Sequence, residues 1–212
     1  MFADIFPHKR HLQARLDFVR DVTKKGKLGL EYDHLVRVWR AAVTENPIQG
    51  DHSMVATWMR GFADDTMFGR PCPVELEVLE RFFKSVFCGE DQLAVAHLSA
   101  EGYRCVQSYF MLSNLLADKL IVQDNDVKWA DLGRNQGYQA SINKTLPHDT
   151  IRTTSKVAAS EMEGIAALWR IAIESQDEDV GAKVARMLLQ LHSSLAEGLE
   201  DQVFASEDRF AD

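Results

Sequence analysis

The sequence predicts an all-α chain built of antiparallel helix pairs. Three observations carry this prediction. Apolar residues recur at three- and four-residue spacing over most of the 212 residues, the period of a helix with one buried face. The 5 prolines and 12 glycines fall mostly between these periodic segments, where such residues interrupt helices. Alternating β-branched runs, the mark of half-buried strands, are absent.

The elements follow in order. A first helix is expected over about residues 8–24, with Leu12, Leu16, Val19 and Val22 on its stripe and Arg15, Arg20 and Lys24 elsewhere. Gly26 can take the left-handed conformation that stops it. A second helix over 31–45 turns Leu35, Val38, Trp39 and Ala42 inward. It ends at Asn46-Pro47, because the residue before a proline disfavours the helical region. A third, over 51–63, starts with Asp51 as a candidate N-cap and carries Met54, Val55, Trp58, Met59 and Phe62. Pro73 suits the first turn of a fourth, which takes Leu76, Leu79, Phe82, Phe83 and Val86 to about Phe87.

The next helical stretch begins near Asp91. Ser99 with Gly102 divides it into a short helix and a long one bearing Val106, Phe110, Leu112, Leu115, Leu116 and Leu120. Residues 123–155 are irregular, with Gly133, Gly137 and Pro147. A run this long inside a compact domain reads as a functional loop or a hinge. It separates 8–122 from 156–199 within a single helical-repeat domain spanning 1–212. A helix over 157–174 carries Met162, Ile165, Ala166, Trp169 and Ile173. Another over 178–199 carries Val180, Val184, Met187, Leu188, Leu191 and Leu195. Only Ser175-Gln176-Asp177 joins them, which makes them antiparallel neighbours. An acidic tail, 200–212, completes the chain.

Composition narrows the function. Net charge is −8, which argues against a nucleic-acid surface, since that needs a basic face. No window of about 18 apolar residues exists, so no membrane span is expected. Cys72, Cys88 and Cys105 are scattered and odd in number, as in reduced proteins of the cytoplasm or nucleus. Charge is uneven: residues 1–30 hold seven basic against three acidic side chains, and residues 160–212 hold four against twelve. Such a gradient either solvates the two ends or docks one of them on an oppositely charged neighbour.

Motifs for chemistry are sparse. There is no GxxxxGK[ST] or GxGxxG phosphate loop. His8 and His11 could share a helical face, yet no second ligand pair follows, so neither a metal nor a cofactor is expected. The acidic pairs Asp64-Asp65 and Glu90-Asp91 read as solvated charge in surface loops. Cys88, near a helix start, could work with His97 in a small cysteine enzyme, an alternative with no supporting box around it. Trp39, Trp58 and Trp169 read as core anchors. Trp129, in the irregular region, is a partner-binding candidate, as is the basic cluster Lys24, Lys25 and Lys27.

The last helix pair points to an architecture. Leu168-Trp169 and Ile171-Ala172 precede an acidic turn at Asp177-Glu178-Asp179, and Ala182, Ala185, Leu188 and Leu191 follow. Small alanines let two helices approach closely. Such a pair cannot bury both faces alone and is expected to stack as in armadillo or HEAT repeats. A resemblance enters with the run Ala14-Arg15-Leu16-Asp17-Phe18, then Leu35-Val36 and Trp39, then Trp58, together with Trp169 through Ala185. In that order the chain resembles the armadillo-like region of the large fat facets-type ubiquitin-specific proteases. The resemblance implies a non-catalytic scaffold that positions substrates or partners for deubiquitination by a distant cysteine-protease module. It implies ubiquitin-pathway proteins or the rest of a larger protease as partners, and a cytoplasmic or nuclear location. No catalytic residue carries over, because none of the three cysteines has that family's cysteine-box context. An unrelated armadillo or HEAT adaptor is the alternative that the fold alone would allow.

Overall fold

A computed structural model describes residues 5–26, 29–44, 49–89, 95–122, 155–157 and 161–193. Seven helices are found among them: α1 (Ile5–Gly26), α2 (Tyr32–Trp39), α3 (Gln49–Met67), α4 (Leu76–Phe82), α5 (Ala100–Leu116), α6 (Ile165–Glu174) and α7 (Glu178–Ser193). α2 and α4 each run on into one wide π turn, Arg40–Thr44 and Phe83–Phe87. A 3-10 turn, Val95–His97, precedes α5. Two three-residue strands, β1 (Leu120–Val122) and β2 (Ser155–Val157), pair antiparallel with Leu120 opposite Val157.

The architecture is all-α and armadillo-like, as the periodicity predicts. α3 packs most extensively on α5 and also touches α1, α2 and α4. α5 touches α7, and α6 packs on α7. The main layer therefore runs α1–α3–α5–α7. Its core is aromatic: Trp39 meets Phe82 and Phe87 edge to face at 6.1 and 5.0 Å, and Tyr109 closes on both phenylalanines. Ser99 caps α5, its hydroxyl accepting from the Gly102 N–H at 3.1 Å. Gly102 also lets α5 lie against α3, since a Cβ there would sit 2.7 Å from His52 Nε2 and from Leu98.

Several local expectations change. α3 begins before Asp51, which lies in its first turn and pairs with His8 at 2.8 Å instead of capping. α3 also runs four residues past Ala63, so Asp64 and Asp65 are helical and buried, not solvated in a loop. Glu75 precedes α4, so Pro73 stands outside the helix, and its carbonyl accepts from the Leu30 N–H. α5 stops at Leu116 because Asp118 turns left-handed at φ 55°, and Leu120 becomes strand. Val157, expected to open a helix, pairs with it. α6 starts only after Gly164, at φ 83°, where a Cβ would also strike the Phe83 ring at 2.5 Å. Residues 123–154, most of the predicted loop or hinge, lie outside the described residues, as do Glu90-Asp91 and the tail 200–212.

The strands on either side of that segment bring the chain back to where it left α5, and one buried amide secures the return. The Asn114 side chain donates to the carbonyls of Phe110 and Glu163 and accepts from the Glu163 N–H, all at 2.9 Å. Asn114→Ala would strand two backbone groups of Glu163. We expect a loss of about 2 kcal/mol, read as a lower urea midpoint at unchanged slope. A loss within error of zero would mean that this link does not hold α6 in place.

Candidate protein-interaction surface

Lys24 and Lys25 of the basic cluster lie where α1 ends against α3. Leu16 faces α3, and helical spacing puts Arg20 and Thr23 on the same side. On α3, Trp58 and Phe62 continue the matching stripe, and Asp65 falls next on it. Trp58 Nε1 donates to the Leu16 carbonyl at 2.9 Å, and the Arg20 guanidinium lies over the Phe62 ring. Three cations converge on Asp65: Arg20 at 2.5 Å, Lys24 at 3.2 Å and Arg70 at 3.0 Å. Asp65 is thus the anchor of the α1–α3 contact and of the chain leaving α3. Apolar periodicity alone sets Arg20 and Lys24 off the packing stripe of α1. The continued spacing from Leu16 and from Phe62 was the signal that could have joined them.

Lys24 therefore stands partly committed to the fold. Lys25 is well exposed, and its ion-pair partner among the described residues is Asp21, at 3.8 Å on its own helix. Lys27 and Trp129 lie outside the described residues. Beside Lys24 a groove of about 320 Å³ opens between α1 and the segment leading into α4, lined by Thr23, Gly29 and residues 71–75. A second groove, about 480 Å³, lies at the first turns of α3 and α5, with Lys9 on one side and Glu101 and Asp177 on the other. Both are open surface grooves.

The remaining candidates separate clearly. Burial pushes the Cys88 thiol up to about 11, and Glu163 adds to this. It stays protonated at neutral pH, so the Cys88–His97 pairing has no activated nucleophile, and His97 itself is exposed on its 3-10 turn. Burial likewise raises the Cys72 and Cys105 thiols. Among the described residues no group of three or more His, Cys, Asp or Glu side chains could hold a metal ion. No helix among them is long and apolar enough to cross a membrane. Trp39 and Trp58 are core anchors as expected, but Trp169 is 47% exposed. α6 has two apolar faces, and the structure buries Ala167, Leu168 and Ile171 instead of the stripe Ala166, Trp169 and Ile173.

His52, buried under α5 and edge-on to Trp39, has its pKa lowered from 6.5 by burial, against an opposing pull from Glu101. The unfolded chain takes up this proton at a higher pH than the folded one. Stability from His52 is therefore complete above pH 6.5 and drains away as the pH falls toward the lowered folded value. Urea midpoints at pH 7.5 and pH 5.5 check this: the drop should shrink in His52→Phe. Glu163 also titrates in a direction that matters, but lower. Burial raises its pKa, hydrogen bonds from Lys84 and Ser113 outweigh that, and its contribution is lost only below 4.5.

The UBP24/USP9X/USP9Y ARM repeat profile matches residues 1–114, more than half of the 212. The chain belongs to the UBP24/USP9X/USP9Y ARM repeat family. The match takes in α1 to α4 and nearly all of α5, including the Asp65 anchor. Ubiquitin carboxyl-terminal hydrolases 9Y and 9X of Mus musculus and 9Y of Homo sapiens are each 22% identical to it over 204 residues. That is 96% of this chain and 6% of each relative, so α6 and α7 fall within the similarity. The UBP24/USP9X/USP9Y ARM repeat is a helical, non-catalytic region of such proteins, and armadillo repeats in general mediate protein interactions.

Proposed function

We propose that the chain is a non-catalytic helical scaffold that binds proteins and positions them, as partners or substrates, for deubiquitination. The observation that carries this reading is membership of an ARM repeat family whose relatives are ubiquitin carboxyl-terminal hydrolases. The exposed Lys25, with Lys24 and Lys27, forms one contact surface, and Trp129 supplies an aromatic contact from 123–155. The chain works as a single helical-repeat unit in the cytoplasm, with the nucleus as a second location.

The test compares the chain with its Lys25→Glu/Lys27→Glu variant, which leaves the Asp65 anchor intact. Tagged chains are incubated with purified polyubiquitin-conjugated proteins and with cell extract, and bound ubiquitin-pathway proteins are quantified. The expected result is their retention by the unmodified chain and a loss of roughly tenfold in the variant, about 1.4 kcal/mol of binding. Retention of transport cargo instead would replace this reading with that of a trafficking adaptor. Hydrolysis of ubiquitin conjugates by the purified chain would overturn the non-catalytic reading.

A further inference from the structure

The two ends of the α1–α3–α5–α7 layer carry apolar side chains that face away from the core. On the last pair, Trp169 and Ile173 stand one turn apart on α6, and Leu189 and His192 stand together on α7. The Trp169 ring lies 6.5 Å from that of His192, so the two outward stripes adjoin. Ile173 is 77% and Leu189 70% exposed, although Leu168, Ile171, Val184 and Leu188 already supply the face turned to the core. A surface helix ordinarily has one apolar stripe, and a second, contiguous one marks a contact surface. At the other end, Phe18 lies across α1 from buried Leu16, 68% exposed, with Val19 beside it.

The two ends differ in net exposed charge. On α6, α7 and the turn between them, exposed Glu174, Asp177, Glu178 and Asp179 outnumber exposed Arg186, which lies one turn from Leu189. Along α1, exposed Lys9, Arg10, Arg15, Lys24 and Lys25 outnumber exposed Asp17 and Asp21 beside Phe18. This is the uneven charge of the sequence placed on the two ends of a stack. We propose that the chain associates with a second copy of itself head to tail, the α6–α7 face of one copy packing on the outer face of α1 of the next. Each copy then adds to the next as neighbouring helices stack within it. The interface is heterologous, so it adds copies in a row, ending in a ring where the rotation between copies closes and in a filament where it does not. Opposite charges orient the ends, and salt weakens the encounter.

Sedimentation velocity of the 212-residue chain is the test. At low salt and roughly 100 μM, well above a Kd on the order of 10 μM, mass should rise above the 24.0 kDa of one copy and should fall back in high salt. Phe18→Glu and Ile173→Glu should each sediment as single copies, with helical content unchanged because both side chains are exposed. Mixed one to one, they should form a two-copy species and nothing larger. The Phe18→Glu chain keeps an intact tail and the Ile173→Glu chain an intact head. A single-copy unmodified chain would overturn the proposal. So would either variant still pairing with itself, the mark of a symmetric interface, or a mixture that fails to pair.

Discussion

Alanine at Trp39 is expected to cost about 4 kcal/mol of stability, near the middle of the range for emptying a buried tryptophan site. The indole has no exposed surface and is held among His52, Phe82 and Phe87, all edge to face. These partners come from α3, α4 and the π turn after α4, so none can move in to fill the space without dragging a helix. The ring acts through shape and not through its polar atom, because Trp39 Nε1 has no hydrogen-bond partner among the described residues. Trp39→Phe should therefore cost far less, about 1 kcal/mol, since it leaves a smaller void and removes an unpaired buried donor. Urea unfolding of both variants checks the pair of values. Equal losses would mean that the site relaxes around any aromatic change, or that Nε1 is bonded after all.

Trp39 was also among the residues most legible in the sequence. It lies on a stripe with Leu35 and Ala42, and one helix face accounts for all three. Trp58 and Phe62 were legible for the same reason. The order of helices and the break at Ser99 could be read from spacing and residue type alone; that Ser99 caps α5 could not. What could not be read had a common cause: a position on a helix face says which residues share a side, not which side meets the core. α6 has two apolar stripes, and only the packing of α7 and the Val95–His97 turn against it decides that Leu168 goes in and Trp169 out. Arg20 was set apart as a charged residue, although its spacing from Leu16 puts it on the packing face. The ends of α5 and α6 depend on left-handed backbone at Asp118 and Gly164 and on a strand pairing between distant residues, which no local period records. Among the interaction candidates, the basic cluster was visible as composition. The division of labour within it was not, because that depends on a carboxylate 41 residues further along the chain from Lys24.

That carboxylate is the subject of the second large effect. Asp65→Ala should destabilise the chain by about 3 kcal/mol, at the low end for breaking a buried ion pair, because its three partners are each partly open to water. The Asp65 side chain is 7% exposed, and those of Arg20, Lys24 and Arg70 are 25, 36 and 53% exposed. The order of further losses follows from these figures. Arg20→Ala should come next, at about 1.5 kcal/mol, since it also removes the contact with the Phe62 ring and a bond to the Gly61 carbonyl. Lys24→Ala should cost under about 1 kcal/mol, since two other cations remain on Asp65 and the lysine is a third exposed. Lys25→Ala should cost close to nothing, with only an exposed neighbour on its own helix. Urea midpoints of the four variants at low and high salt measure the series, and the Asp65 loss should keep the largest fraction of its size in high salt because the carboxylate is shielded. If Asp65→Ala and Lys25→Ala proved equal, the α1–α3 contact would have to rest on Leu16 and Trp58 alone. The same series separates stability from binding. A partner that draws on Lys24 must compete with Asp65 for it, whereas Lys25 can be given to a partner without weakening the stack. Charge reversal at Lys25 can therefore remove binding without touching the stack, whereas charge reversal at Lys24 also weakens the Asp65 cluster.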